Sequence, residues 1–211
     1  MKILLIVGLG LLLTLETARA DGKQSAPGYS QPATDVSGAG VGLDNSDDIR
    51  NGPITVETWV RLHDASNFNI IMASDTKASS RHWELYTFPT SGALAFYTAS
   101  MGTSAPCSDT SICDDVWHYV AATFEKGKVT LYVDGRLVER IGLPVSTDPP
   151  TDGQLAIGQL VEGGAGVGIG CNGLIQDVKV SKGVHEIKFV PTAPFKKDAS
   201  TLLTWPQAAT P

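Results

Sequence analysis

The sequence predicts an all-β protein built as an antiparallel sandwich of two sheets, and three observations carry this prediction. Apolar and polar residues alternate with a period of two in many segments, as expected of strands that bury one face. Gly, Pro, Asn and Asp separate these segments at intervals of about ten residues. No window has the spacing of a convincing amphipathic helix. Short strands joined by hairpin turns are typical of antiparallel sandwiches.

The chain begins with a segment that predicts export. One lysine precedes an apolar run over residues 3–15, and Ala18 and Ala20 stand at the two positions that a signal peptidase reads. Glu16 ends the run well short of the roughly 18 apolar residues that a membrane span needs. We therefore expect residues 1–20 to be a signal peptide. The mature chain is expected to be secreted, extracellular or periplasmic, without insertion into a membrane.

Composition divides the rest of the chain into three parts. Residues 21–37 are rich in Gly, Ser, Pro, Gln and Ala without periodicity, and we expect a flexible leader there. Residues 38–205 have the length of one β-rich domain with its own core, and residues 206–211 form a C-terminal tail. The net charge is −6 and no basic run or basic face is present, so nucleic acid is not expected as a partner.

The predicted strands follow one another through the domain. Their sequences are, in chain order, ITVETWVRL, NIIMAS, HWELYTF, ALAFYTA, WHYVAATF, KVTLYVD, RLVERI, GQLAIGQL and LIQDVKVS. In the first of them Val56 and Val60 share one face, whereas Trp59 lies on the other. Turn sequences such as PTSG, EKGK and DG stand between the strands.

Three of these strands form a predicted meander over residues 117–141. Asp134-Gly135 is a strong signal for a two-residue hairpin, because a type I′ turn needs positive φ at both central positions. The aromatic residues of the meander are explained by sheet packing. No carboxylate is spaced to orient His118, so we expect a surface or sheet residue there and not a general base.

At these residues the sequence resembles laminin-G-like domains of the concanavalin A-like lectin and glucanase superfamily. The most specific part is WHYVA at 117–121 followed by LYVDG at 131–135, and the resemblance extends from about Gly38 to Lys182. The segment FVPTAPFKKDASTLLTW is similar to the ends of such domains, where a last strand returns to the sheet. The resemblance implies a jelly-roll sandwich of two curved sheets. This fold hosts lectins, adhesion modules, pentraxins and glucanases, so it does not choose a function.

The three cysteines suggest one disulfide, which an exported chain can keep. Cys107 and Cys113 enclose only the sequence SDTSI, so a small staple across one loop is the economical pairing. Cys171 is expected to be a small buried hydrophobe and not a nucleophile.

The sequence does not favour an enzyme. Retaining glycosidases need two carboxylates about 5 to 5.5 Å apart, and the glucanases of the superfamily carry closely alternating acidic residues. Glu57 and Glu84 each stand alone on a predicted strand, and no G-x-S-x-G motif is present. We therefore expect no catalysis. A divergent glycoside hydrolase or polysaccharide lyase is the minor alternative.

Calcium is a candidate cofactor because the resemblance implies it. Laminin-G-like domains often hold Ca²⁺ at the sandwich rim through carboxylates and carbonyls, which suit a hard cation. The candidate ligands are Asp44, Asp47, Asp48 and Asp75. No calcium-loop spacing fixes this set, so solvated loop acids are the alternative. The scattered His residues give no zinc spacing.

Sugar binding needs an exposed aromatic platform with polar groups around it. Two predicted strands offer such a combination on the faces opposite their more apolar stripes. The candidate ligand-binding residues are Glu57, Trp59, Arg61, His82, Glu84 and Tyr86. Packing of Trp59 in a second, minor core is the alternative. The leading hypothesis is a secreted, non-catalytic module that recognises a glycan or an extracellular protein, and a structural or adhesion subunit of a surface assembly is the second.

Overall fold

The chain folds into two antiparallel sheets that pack face to face. The structure is a computed structural model, and the residues that it describes are 25–99, 107–125, 127–142, 153–161 and 169–206. These residues form thirteen strands and one short helix. In chain order they are β1 (Thr34–Asp35), β2 (Val41–Leu43), α1 (Asp47–Asn51), β3 (Ile54–Leu62), β4 (Asn69–Ser74), β5 (Trp83–Thr87), β6 (Ala93–Thr98), β7 (Cys107–Ser111), β8 (His118–Glu125), β9 (Lys128–Val133), β10 (Arg136–Gly142), β11 (Leu155–Ile157), β12 (Gly173–Lys182) and β13 (Thr201–Trp205).

The strand order confirms the predicted fold class. One sheet runs β1-β12-β3-β8-β9-β10, with β13 also paired to β12, and the other runs β2-β11-β4-β5-β6-β7. The strands pair in antiparallel fashion in both sheets. Each of the nine predicted strands is present, and β13 is the last strand expected to return to the sheet.

The main core lies between the two sheets because each strand directs alternate apolar residues inward. On β3, Val56 and Val60 are buried in this core. The opposite sheet contributes Trp83 and Phe96, whose rings stack with their centroids 5.8 Å apart. Stacked or offset aromatic pairs add stability beyond the area that they bury. The core thereby fixes the side of each sheet that faces outward.

The hairpin between β9 and β10 has the geometry that its sequence predicts. Asp134 has φ 49° and Gly135 has φ 74°, the two positive values of a type I′ turn. The turn also folds Asp134 against the beginning of β8, where its Oδ1 accepts a hydrogen bond of 3.0 Å from the Tyr119 amide. The hairpin therefore anchors the edge of the sheet by side-chain as well as backbone contacts.

His118 is oriented by two carboxylates, so the expectation that none would orient it is wrong. Its Nδ1 lies 2.8 Å from Asp134 Oδ2, and its Nε2 lies 3.1 Å from Asp114 Oδ1. The hairpin brings Asp134 beside His118 across sixteen positions of sequence, a contact that local spacing does not reveal. Asp134 raises the pKa of His118 most, burial opposes this, and Asp114 adds to the increase.

This shift predicts a pH-dependent contribution to stability. Because the folded-state pKa is raised, the contribution is fully present below the unfolded pKa of about 6.5 and is lost as the pH rises through the folded value. We expect His118→Gln to lower the free energy of unfolding more at about pH 5.5 than at about pH 8.5. Urea denaturation of both proteins at the two pH values measures the difference. An equal loss at both would contradict the assigned ion pairs.

The outer face of the sheet that contains β3 is covered by a second, minor core. Trp59 and Tyr119 form its centre with ring centroids 5.8 Å apart. The residues packed around them come from the beginning and end of the described chain: Ala26, Tyr29, Ile187, Val190 and Phe195. Residues 25–37, expected in the flexible leader, instead pack on the domain and contribute β1. Apolar residues within this Gly-rich and Pro-rich segment supply the contacts.

The predicted disulfide is not formed, because Cys113 carries a free thiol. Its Sγ contacts Thr87 Oγ1 at 3.4 Å and Asn69 Nδ2 at 3.5 Å. Cys107 begins β7, and its side chain lies outside the described residues. Cys171 is free and buried, as predicted.

Candidate functional site

The three candidate residues on β3 are engaged by other parts of the protein. Trp59 is 3% exposed beneath the minor core. Glu57 accepts a hydrogen bond of 2.5 Å from the Tyr119 hydroxyl. Arg61 donates to both carboxylate oxygens of Asp115 at 3.0 and 2.9 Å. This face of β3 is thus part of the scaffold in the structure, and the alternative of a minor core at Trp59 is confirmed.

The other three candidates lie on β5 or directly before it, in the other sheet, and are also buried. His82, Glu84 and Tyr86 have exposures of 1%, 3% and 4%. His82 Nε2 and Lys77 Nζ each lie 2.5 Å from Glu84 Oε1. Burial alone would raise the pKa of Glu84, but its hydrogen bonds with His82 and Lys77 hold it below the usual range. The structure therefore joins His82 to Glu84, while Tyr86 packs against Phe68 and Phe88, and all three lie on a different sheet from the set on β3.

The candidate calcium ligands are paired mainly with basic side chains. Asp47 and Asp75 both contact Arg50, at 2.6 and 3.3 Å, and Asp48 accepts from Lys182 Nζ at 2.9 Å. Asp44 is exposed. In the part of the chain that the structure describes, no three His, Cys, Asp or Glu side chains are grouped so that they could hold a metal ion. The guanidinium of Arg50 supplies the positive charge that Asp47 and Asp75 share.

A pocket of about 410 Å³ opens at one rim of the sandwich. Four segments meet there: the connection from β3 to β4, the residues between β1 and β2, those directly after β11, and those directly before β12. The side chains that define its chemistry are Asp64, Asn67, Phe68, Asn69, Gln159 and Asn172. Its wall combines one carboxylate and four amides with one aromatic ring. We call this cavity the rim pocket.

Asp64 is fixed in the rim pocket by its own loop and by the segment before β12. Its Oδ1 accepts from the Ser66 amide at 2.8 Å and from the Ser66 hydroxyl at 2.6 Å. Its Oδ2 accepts from Asn172 Nδ2 at 2.8 Å. Hydrogen bonds from Ser66 lower the pKa of Asp64 most, with a further contribution from Asn172. Asp64 is therefore an oriented, ionised acceptor at neutral pH.

Asn69 joins two walls of the rim pocket from below. Its Nδ2 donates to the Asp64 carbonyl at 2.9 Å and to Thr87 Oγ1 at 3.1 Å. Its Oδ1 accepts from the Asn172 amide at 2.8 Å. Asn69 is 1% exposed, so these bonds form away from water, where an unmade bond is costly. Asn69 is a positioning residue for Asp64 and Asn172.

The third wall depends on a close backbone approach at Gly40. A Cβ atom at this position would lie 2.3 Å from the Ile157 carbonyl oxygen, so only glycine fits. The Gly40 amide donates to Gln159 Oε1 at 3.2 Å. This contact holds the Gln159 amide at the edge of the pocket.

Aromatic rings continue from the rim pocket over the neighbouring sheet. Phe68 lies 5.9 Å from Tyr86 and 6.3 Å from Phe88, measured between ring centroids, and Tyr86 lies 5.4 Å from Phe88. Phe68 and Phe88 are partly exposed, whereas Tyr86 is buried beneath them. Tyr86 therefore supports an aromatic surface that borders the polar groups of the pocket.

Comparison with known families identifies the chain. A laminin G family model, described as concanavalin A-like lectin/glucanases superfamily, matches residues 35–186. The chain belongs to this superfamily. The matched range includes every strand from β3 to β12. The fold and the resemblance predicted from the sequence are thereby confirmed. A comparison with curated protein sequences gives no significant match.

Solved structures of the same architecture include sugar-binding and laminin domains. Domain 4 of AbnA, a GH43 extracellular arabinanase of Geobacillus stearothermophilus solved with arabinotriose, is 16% identical over 75% of this chain and 74% of its own, with a TM-score of 0.57. The CBM40 of the Ruminococcus gnavus IT-sialidase, bound to α2,3 sialyllactose, is 16% identical over 74% and 91%, with a TM-score of 0.54. Mouse laminin α1 domains LG4-5 are 16% identical over 77% and 45%, with a TM-score of 0.56. At 16% identity, these structural likenesses show a shared fold alone.

Within this superfamily fold, sequence reasoning missed most of the rim pocket. Its Asp64, Asn67 and Phe68 lie in HDASNF, between two predicted strands. A cluster of Asp, Asn and Ser next to a phenylalanine was the available signal. The same composition also describes an ordinary turn, so the signal gains meaning only when Asn172 and Gln159 are brought beside it.

No helix in the described ranges has the length and hydropathy needed to cross a bilayer.

Proposed function

We propose that this chain is a secreted, non-catalytic recognition module whose rim pocket binds a glycan. The observation that carries the proposal is the meeting of the partly exposed Phe68 ring with Asp64, Asn67 and Asn172 in one cavity. Sugars present C–H faces that pack on an aromatic ring and hydroxyl groups that need directed donors and acceptors. Asp64 supplies a fixed acceptor, and the amides of Asn67 and Asn172 offer both donors and acceptors.

The size of the rim pocket supports the same proposal. Its volume of about 410 Å³ falls in the range of roughly 300 to 1,000 Å³ that is common for small-molecule sites. A cavity of this size accommodates a short stretch or one end of an oligosaccharide. The arabinotriose and sialyllactose complexes of similar folds support a glycan as the class of partner.

The single carboxylate among the described residues of the rim pocket supports binding without catalysis. Asp64 is the one carboxylate among the described residues that line it. Glycoside hydrolysis by the common mechanisms requires a second carboxylate, about 5 to 9.5 Å from the first. Glu57 and Glu84 lie on different sheets and hydrogen-bond within the protein. Release of reducing ends from a polysaccharide panel, with the loss of that activity in Glu84→Gln, would contradict this part of the proposal.

A glycan array tests the proposed function. We expect labelled protein comprising residues 21–211 to bind a chemically related group of sugars. Parallel wells with calcium and with a chelator test whether Ca²⁺ assists binding through the candidate aspartates. If it does, binding is weaker in the wells with the chelator. A blank array under both conditions would contradict glycan recognition.

A protein partner is the second candidate because several large apolar side chains project into solvent. Phe189 is 82% exposed, and Leu137 on the neighbouring edge strand is 44% exposed. Exposed aromatic residues are enriched at protein interfaces. A stable complex purified from the source without added sugar, and lost in Phe189→Ser, would favour an adhesion or structural subunit over a glycan-binding module.

A further inference from the structure

We propose that the rim pocket selects neutral glycans and disfavours glycans that carry a carboxylate. This inference depends on the proposed function, because it specifies the class of sugar that the same pocket takes. The observation behind it is an oriented carboxylate, Asp64, in a pocket whose described lining contains no Lys, Arg or His. An acidic sugar would thus meet a negative group without a compensating positive one.

The charge of the rim pocket comes from Asp64 alone among its described lining residues. Hydrogen bonds from Ser66 and Asn172 hold the pKa of Asp64 below its usual range, so it is ionised at neutral pH. The other titratable lining residue is Cys171, and burial raises the pKa of its thiol far enough to keep it uncharged. Like charges a few ångströms apart repel even at a solvated protein surface.

Two basic side chains that shortly precede Asp64 in the chain already have an acidic partner. His63, next to Asp64 in sequence, places its Nδ1 2.7 Å from Asp115 Oδ1. Arg61 donates to both oxygens of the same carboxylate. Asp115 therefore offsets the positive charge of Arg61 and of His63 when it is protonated. The charge of Asp64 then sets the sign of the electrostatic potential in the rim pocket.

The hydrogen bonds of Asp64 leave room for a sugar hydroxyl. A carboxylate offers about four acceptor positions. Two on Oδ1 are used by the Ser66 amide and hydroxyl, and one on Oδ2 is used by Asn172 Nδ2. The remaining position on Oδ2 can accept from a hydroxyl donor. Hydroxyl groups of either class of sugar can donate there, but a ligand carboxylate cannot at neutral pH, so an acidic group placed beside Asp64 meets repulsion without a hydrogen bond that offsets it.

The test compares sugars that differ only in the oxidation of C6 in each monosaccharide residue. The probes are three matched pairs of oligosaccharides: gluco- and glucurono-, galacto- and galacturono-, and manno- and mannurono-oligosaccharides of equal length. We expect the wild-type protein to bind the neutral member of at least one pair at least about tenfold more tightly than its acidic counterpart. The measurement is titration calorimetry at low ionic strength, where charge repulsion is least screened.

Asp64→Asn separates the effect of charge from that of shape. We expect this substitution to reduce the preference for the neutral member severalfold, because the amide keeps one oxygen acceptor and removes the negative charge. Asp109→Asn is the matched control, since Asp109 is exposed and does not line the pocket. The control should keep the wild-type preference.

The outcomes distinguish this inference from the proposed function. Tighter binding of an acidic member, or an unchanged preference in Asp64→Asn, would overturn the selection of neutral sugars while glycan recognition stands. No binding to any pair, together with a blank glycan array, would overturn both. A neutral preference that falls in Asp64→Asn and persists in Asp109→Asn supports the inference.

Discussion

Replacing Trp59 with alanine is expected to lower the free energy of unfolding by about 3 to 5 kcal/mol. The indole is 3% exposed and packs against Tyr119 and Tyr29 in the minor core. Its loss removes apolar contacts and leaves a cavity that the covering segments can fill only in part. Urea denaturation monitored by circular dichroism measures the change.

Trp117→Ala is the matched control for this prediction. Trp117 packs at the border of the same minor core but is partly exposed, so its truncation should cost less stability. At temperatures where Trp59→Ala stays folded, we expect it to bind the same glycans as the wild type. Loss of glycan binding with unchanged stability would instead make Trp59 a ligand contact, as the sequence first suggested.

Replacing Asn69 with alanine is expected to lower the free energy of unfolding by about 2 to 4 kcal/mol and to weaken glycan binding. The substitution removes the Nδ2 donor that serves the Asp64 carbonyl. It also removes the Oδ1 acceptor that serves the Asn172 backbone amide. Each buried polar group left without a partner costs about 1 to 3 kcal/mol. Without this cross-connection the two walls of the rim pocket lose their fixed separation.

Asn45→Ala provides the comparison. Asn45 also donates two hydrogen bonds, to Ser74 Oγ at 2.9 Å and to the Gln154 carbonyl at 3.2 Å, but it is partly exposed and does not line the pocket. We expect a smaller loss of stability and unchanged affinity. Equal affinities in Asn69→Ala and the wild type, measured by titration calorimetry, would exclude Asn69 as a positioning residue.

Strands with strict alternation could be predicted from the sequence, whereas short polar ones could not. β9 carries Val or Leu at every second position, and β3 has aliphatic residues at four of its five inward positions, with Thr58 as the exception. Such alternation is the pattern of a strand with one buried face. β7 reads CSDTS, a composition equally typical of a loop, and it forms only because β6 offers a partner edge. The helix α1 has five residues and is capped by Ser46. It is too short for a helical period to be visible in the sequence.

The candidate site was harder to predict because its residues are distant in the sequence. Asp64 and Asn172 are separated by 108 positions, and Gly40 and Gln159 by 119. Alternation correctly placed Trp59 and Tyr86 on outward faces of their strands. It could not show that segments near both ends of the described chain would cover Trp59, or that Phe68 and Phe88 would pack against Tyr86.

The central claim is that the rim pocket binds a glycan, and one measurement tests it most directly. The wild type, Phe68→Ala and Phe189→Ala are applied in parallel to the same glycan array. Phe68 lines the pocket, whereas Phe189 is 82% exposed elsewhere on the surface and serves as the matched aromatic control. We expect the wild type and Phe189→Ala to bind the same related sugars and Phe68→Ala to lose about tenfold or more in affinity for them. Undiminished binding by Phe68→Ala, or blank arrays for all three proteins, would contradict the claim.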